Sequence, residues 1–202
     1  EEVAVMWQLK AISRGESKVS SNPLKLLWAA RWEYDKGPEL LLKILQQLSA
    51  RGIDFKLCVL GQKFRRSPEA FAQIEQQFAP QLVQFGYEDS AARYRQWLNS
   101  ADMVVSTALH EFQGLAVLEA MAAGCTPILP NRLSYPELVS SDFLFDVSAA
   151  DVTVQASAAV DLISRLQIQP KAVETPDISW SKLTPNYRQV IESITSVSEL
   201  SR

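Results

Sequence analysis

From Lys25 onward, short apolar runs alternate with longer amphipathic ones, and this alternation confines the chain to an α/β design, a parallel sheet with helices on its faces. The short runs predict strands at residues 26–30, 55–60, 82–85, 103–106, 126–129 and 143–145. Between the first two, residues 38–50 carry Leu40, Leu41, Ile44, Leu45 and Leu48 at helical spacing, with Pro38 in the first turn and Gly52 just past the end. Residues 68–78, 90–99, 115–123, 150–166 and 182–194 read as the other helices, each closing near a Gly, Pro or Asn. Such a sheet should be doubly wound, and its ligands should lie at the carboxyl ends of the strands. That directs attention to the residues after Ala30, Leu60, Phe85, Ser106 and Leu129.

The two ends depart from this pattern. Residues 1–22 are polar around one apolar cluster (Val5, Met6, Trp7, Leu9) and read as an interdomain linker; residues 167–185 are Pro-rich and read as loop before a last helix. At 202 residues and 47% hydrophobic content, the chain has enough apolar surface for a real core. A net charge of −3 gives no chain-wide electrostatic reason to expect binding to nucleic acid or an anionic membrane, though it leaves room for a local basic patch. Cys58 and Cys125 sit in apolar contexts without CxxC spacing, which predicts buried, reduced thiols rather than a disulfide or metal site, and a single histidine argues the same way about metals. No apolar run approaches the ~18 residues of a membrane span.

The richest segment is His110-Glu111-Phe112-Gln113-Gly114-Leu115-Ala116-Val117-Leu118-Glu119. Gly114, between a strand and a helix, lets the backbone come close to a ligand, and the helix start offers unpaired N–H groups that suit a phosphate. A carboxylate is a poor phosphate partner, because like charges about 4 Å apart repel by roughly 4 kcal/mol at an effective dielectric near 20. Glu111 and Glu119 should therefore face hydroxyls. Ribose on one side and a hexose on the other is the layout of a nucleotide-diphosphate sugar. After the first strand, Arg31-Trp32-Glu33-Tyr34-Asp35-Lys36-Gly37-Pro38 places two cations where a diphosphate would lie. A solvated loop with ion pairs to Glu33 and Asp35 fits the same residues equally well.

Arg31 and Lys36 before Gly37, the Glu111 and Glu119 pair around Gly114, and the run from Pro130 to Glu137 resemble the donor-binding, C-terminal half of retaining GT-B glycosyltransferases of family-4 type. More narrowly, the runs from Trp28 to Lys36, His110 to Phe112 and Pro130 to Glu137 resemble the tRNA-queuosine mannosyltransferase group. The resemblance implies a Rossmann-like domain over residues 23–177 and a C-terminal helix over 178–202 that returns toward an N-terminal, acceptor-binding domain. It implies a catalytic set of Glu111, Arg31 and Lys36, with Arg31 and Lys36 on the diphosphate and Glu111 on hexose hydroxyls. Phe112, Gln113, Gly114 and Leu115 would meet sugar and phosphate through their backbone, and Glu119 would hold the ribose. Tyr87 and Glu88 fall where the base pocket lies, and Arg132 adds a cation on the phosphate or acceptor side.

The implied function is transfer of mannose from GDP-mannose to queuosine in tRNA, without a metal and in the cytoplasm. A domain alone would bind donor without transferring sugar. The competing readings are a UDP-hexose-dependent transferase of envelope glycan synthesis and a non-catalytic nucleotide-binding module. The chain departs from the wider family where Leu133, Ser134 and Tyr135 stand in place of a glycine pair, and in the basic loop Gly61-Gln62-Lys63-Phe64-Arg65-Arg66. An aromatic among basic residues suits RNA, and a solvated loop with Phe64 tucked down suits it as well. His110 is expected to pack and orient its neighbour rather than act as a base. The competing reading of Glu119 is a lone carboxylate in an otherwise apolar helix, paired to a nearby cation. Asp102 stands at the wrong strand end for a ligand, whereas Ser106 and Thr107 stand at the right one.

Overall fold

A computed structural model describes residues 22–64, 66–174 and 180–199. The linker expected over 1–22 lies outside the described residues, apart from Asn22. Strand β1 (Leu24–Ala29) is followed by a 3₁₀ turn (Tyr34–Lys36) and helix α1 (Pro38–Ala50), then β2 (Phe55–Leu60), α2 (Glu69–Gln77), β3 (Leu82–Gly86) and α3 (Ala91–Ser100). Strand β4 (Met103–Val105), α4 (Leu115–Ala122), β5 (Thr126–Pro130), a short α5 (Tyr135–Leu138), β6 (Leu144–Phe145) and α6 (Val152–Ile168) complete the alternation. Helix α7 (Trp180–Glu199) belongs to a second compact unit and is treated by itself.

The strands pair in the order β3-β2-β1-β4-β5-β6, all parallel, with Leu24 opposite Phe55 and Leu26 opposite Met103. This is the Rossmann-like, doubly wound arrangement, and chain order reverses between β1 and β4. Helices cover both faces of such a sheet, so its central strands are apolar almost throughout: Leu26, Leu27 and Trp28 are all buried, as are Met103, Val104 and Val105. The core includes an aromatic cluster in which Trp32 stacks on Phe71 with centroids 4.3 Å apart, and Trp28 meets the same ring edge-on at 5.5 Å. Cys58 and Cys125 are both buried free thiols. Burial pushes the Cys58 thiol up to about 12, with smaller contributions from Cys125 and Glu88.

Local chemistry sets the element ends. Gly37 in the left-handed region precedes Pro38 at the head of α1. Ser90 accepts from Arg93 N and Asp151 from Thr153 N, capping α3 and α6. At the amino end of β4, the Asp102 carboxylate accepts from Lys25 N at 2.8 Å, a structural bond at the end remote from ligands.

Two expectations need correction. The loop expected over 167–185 is shorter, because α6 runs to Ile168 and α7 begins at Trp180, with Pro185 inside it. A proline in the second turn forfeits one intrahelical bond without ending the helix, and Thr184 Oγ1 donates to Trp180 O at 2.6 Å in the same turn. The other is the set of expected helices, which gave no element to residues 130–142, where α5 forms. Four residues are too few for periodicity to register.

Candidate functional site

Between β1 and β4, where strand order reverses, the crevice at the carboxyl ends is the place for a ligand in an open α/β sheet. A small cleft opens there, lined among others by Lys36, Ser106, Glu111, Gly114 and Tyr135. Its walls come from loops that the core binds together. Trp28 Nε1 donates to Thr107 Oγ1 at 3.0 Å, Thr107 Oγ1 donates to Lys36 O at 2.8 Å, and Asp35 O accepts from both Leu109 N and His110 N. Gly37 fits between them only because it has no Cβ; one built there would overlap the Thr107 carbonyl oxygen.

Lys36 is buried, and its ammonium sits 2.7 Å from His110 O, 3.4 Å from Glu111 Oε2 and 3.3 Å from Asp35 Oδ2. Three oxygens match the three donors of an ammonium group. Glu111 in turn accepts on Oε1 from Phe112 N and Gly114 N, both at 3.1 Å. Burial raises the Glu111 pKa, but the Gly114 N–H, the Lys36 charge and a bond from the Gln113 N–H outweigh it, leaving the carboxyl below its ordinary value. Glu111 thus stays ionised and caps the approach to α4. It faces N–H groups and an ammonium as well as the cleft, a fuller set of partners than the expected hydroxyls alone. Beyond it, the first N–H groups of α4 start a helix and have no intrahelical acceptor, so they remain donors for an anion.

Arg31 does not join Lys36. Its side chain is 60% exposed and pairs with Glu33 at 3.1 Å, the surface arrangement that the loop sequence also allowed. Arg132 is closer to the cleft: Nε donates to Ala108 O at 2.9 Å and one terminal nitrogen reaches Thr107 O at 3.4 Å, leaving guanidinium donors to spare. Phe112 is 93% exposed, Gln113 and Leu115 are exposed, and Gly114 lies in the left-handed region against the Tyr135 ring. Leu133 also adopts φ 60, keeping a left-handed turn in a position where a glycine would be unstrained.

Beside Glu119 stands a hydroxyl, in place of the cation that the competing reading required. Tyr94, on α3, donates to Glu119 Oε2 at 2.6 Å, and burial, then this bond, pushes the phenol well above its ordinary pKa. Tyr87 is exposed, while the Glu88 carboxylate is turned inward, 3.2 Å from Arg93 Nε and from Ser90 N and 3.4 Å from Trp97 Nε1. Glu88 therefore braces the loop. Thr107 is fully buried and serves as the post of the loop junction instead of lining the cleft, and His110 contributes its carbonyl while its side chain is exposed, not packed.

Sequence reasoning missed Tyr94 and Tyr135. Tyr135 is buried, its hydroxyl 2.6 Å from Ser106 Oγ at the cleft floor, and burial holds its pKa up at about 12. The available signals were Tyr94 and Trp97 spaced i, i+3 on an otherwise polar helix, and an aromatic just ahead of Pro136.

The family of glycosyl transferases group 1 matches residues 10–174. The chain belongs to this family. Among related proteins, the tRNA-queuosine alpha-mannosyltransferase of Drosophila melanogaster is 42% identical over 127 residues, 63% of this chain and 33% of that protein. The GDP-mannose:cellobiosyl-diphosphopolyprenol alpha-mannosyltransferase of Xanthomonas oryzae pv. oryzae is 28% identical over 116 residues, 57% of this chain and 30% of that one. The group 1 glycosyltransferase domain thus spans about a third of the length of these relatives. A solved sucrose-phosphate synthase from Thermosynechococcus elongatus shares the fold at TM-score 0.65 and 18% identity, covering 86% of this chain and 46% of that structure. Among the described residues, no group of three or more His, Cys, Asp or Glu is placed to hold a metal, and no helix is long and apolar enough to cross a membrane.

Proposed function

We propose that this domain binds the donor of a retaining hexosyltransferase, that the donor is GDP-mannose, and that the complete enzyme transfers mannose to queuosine in tRNA. The observation that carries the reading is the Lys36–Glu111–Gly114 constellation at the β1/β4 crevice, where an ammonium, an ionised carboxylate and a helix start meet. The diphosphate would lie along the first N–H groups of α4, exchanging a carboxylate for phosphate oxygen at Lys36 and drawing on the spare donors of Arg132. Glu111 would accept from hexose hydroxyls, and Glu119, held by Tyr94, from ribose hydroxyls.

As the C1–O bond to the departing phosphate breaks, negative charge grows on the leaving diphosphate and positive charge on the sugar. Fixed cations on one side and Glu111 on the other stabilise both. The reading requires no metal, because Lys36 and Arg132 supply the positive charge. Mannose is favoured by the names of both mannosyltransferase relatives, GDP-mannose by that of the Xanthomonas protein and queuosine by that of the Drosophila protein.

Calorimetric titration of the domain with GDP-mannose, UDP-glucose and UDP-galactose tests the donor. Selective binding of GDP-mannose is expected. Selective binding of a UDP-hexose would move the assignment to that donor class, and absence of all binding would refute the site. In the complete enzyme, Glu111→Ala should abolish turnover, and near-wild-type turnover would leave only a nucleotide-binding module.

A further inference from the structure

Beside the sugar cleft, the loops that follow β1 and β2 carry chemistry the donor site does not use. After β2 the chain reads Gly61-Gln62-Lys63-Phe64-Arg65-Arg66, three cations in four residues with no carboxylate, in a chain of net charge −3. Lys63 and Arg66 are exposed, and neither has an ion-pair partner among the described residues; Arg65 lies outside them. The Phe64 ring is 37% exposed on a clamped backbone: Ser67 Oγ accepts from Phe64 N at 3.1 Å and donates to Phe64 O at 3.0 Å.

The two loops are joined. Trp32 N donates to Gln62 O at 3.1 Å and Ala30 N to Leu60 O at 3.0 Å. Tyr34 and the Arg31 side chain, both more than half exposed, continue this surface, with Arg31 paired to Glu33 and Lys36 to Asp35. Unpaired cations attract a polyanion, and exposed rings on fixed backbone offer stacking faces to unpaired bases. A membrane surface fits less well, since interfacial binding needs a wide apolar face and this loop supplies one partly exposed ring.

We propose that this two-loop surface binds an unpaired stretch of RNA, with Phe64 and Tyr34 stacking on bases and Lys63 and Arg66 on phosphates. The transferase reading supplies the reason for an RNA to lie there, as the acceptor, and the binding itself is measured without donor.

The test is fluorescence anisotropy of a labelled single-stranded RNA of roughly a dozen nucleotides, titrated with this chain from about 50 to about 300 mM salt. The logarithm of affinity should fall linearly with that of salt, and the double variant Lys63→Ala/Arg66→Ala should flatten the slope by about 1.4, at roughly 0.7 per phosphate contact on a single strand. Phe64→Ala should weaken binding about tenfold at every salt concentration, with Phe64→Tyr retaining it. Lys63 and Arg66 are exposed, so the double variant should melt at the wild-type temperature, and Phe64→Tyr, which keeps the partly buried ring, checks that folding is intact at the third position. No binding at the lowest salt, an unaltered slope in the double variant, or Phe64-dependent binding to phosphatidylserine vesicles or polyglutamate matching that to RNA would each overturn the proposal. RNA binding without GDP-mannose binding would support this surface while refuting the donor reading, and GDP-mannose binding without RNA binding would do the reverse.

Discussion

Replacing Lys36 by Met keeps a buried stem of similar length and removes only the ammonium, so it measures what that charge contributes. At 3.4 Å from Glu111 and 3.3 Å from Asp35, each pairing has a gross attraction of about 5 kcal/mol at an effective dielectric near 20, much of which desolvation offsets. The bond to His110 O adds about 1.5–3 kcal/mol, and removing one partner of a buried pair costs about 3–5 kcal/mol. Asp35 is partly solvated and can recover water, so the expected loss is about 3 kcal/mol at neutral pH.

The loss should depend on pH. In the wild type, the lowered Glu111 pKa contributes stability that is present above the carboxyl's unfolded value and is lost as pH falls through the lower folded one. Without Lys36, burial acts with one fewer opposing charge and the folded pKa rises, so protonation on acidification relieves the variant while it weakens the wild type. Urea unfolding of both proteins from neutral pH down to about pH 4 should therefore show the gap narrowing toward the acid end at constant m. A gap below about 1 kcal/mol at neutral pH, or one that does not change with pH, would refute the placement of this cation against Glu111.

Tyr94→Phe should weaken donor binding about tenfold by releasing Glu119 from its 2.6 Å bond and should cost about 1.5–3 kcal/mol of stability, as the bond is to a charged group; calorimetry with GDP-mannose and with its 2′-deoxyribose analogue checks the binding, and equal weakening for both would dissociate Tyr94 from the ribose. Gly37→Ala should lower stability by about 2 kcal/mol or more, since the added methyl meets the Thr107 carbonyl at a positive φ, and thermal unfolding reads it directly. Tyr135→Phe should cost about 1 kcal/mol through the lost bond to Ser106, measured by urea unfolding, while leaving the parallel sheet intact by circular dichroism.

Most of the sheet was legible because parallel strands are short, apolar and separated by helices that repeat every 3.6 residues. Residues 38–50 have the predicted bounds, and the strands fall within two residues of their expected ends. The Glu111–Gly114 segment could be read because its chemistry is local: one carboxylate, one glycine and one helix start within a few residues. What periodicity could not show is which side chains from distant elements meet. Arg31 and Lys36 look alike as cations five residues apart, yet the 3₁₀ turn between them buries one and leaves the other at the surface. Tyr94 reaches Glu119 across the space between two helices, and Tyr135 reaches Ser106 from a four-residue helix, distances that appear only once the chain is folded. Glu88 was read by its address after β3, and its inward rotation toward Arg93 and Trp97 depends on the first turn of the following helix.

The bonds that run from Trp28 through Thr107 to the Lys36 carbonyl, and from Asp35 O to the β4 loop, join residues more than 70 positions apart in the chain. None of these contacts can form until β1 and β4 are already side by side, because closing so long a loop is repaid only by the sheet pairing around it. The ammonium's setting at the crevice consequently depends on the β1/β4 pairing, and a chain with β1 paired only to β2 would lack it. Ligand capture by this domain can thus serve as a reporter of completed folding, distinguishing the finished sheet from a compact chain that has native helices but no β1/β4 seam.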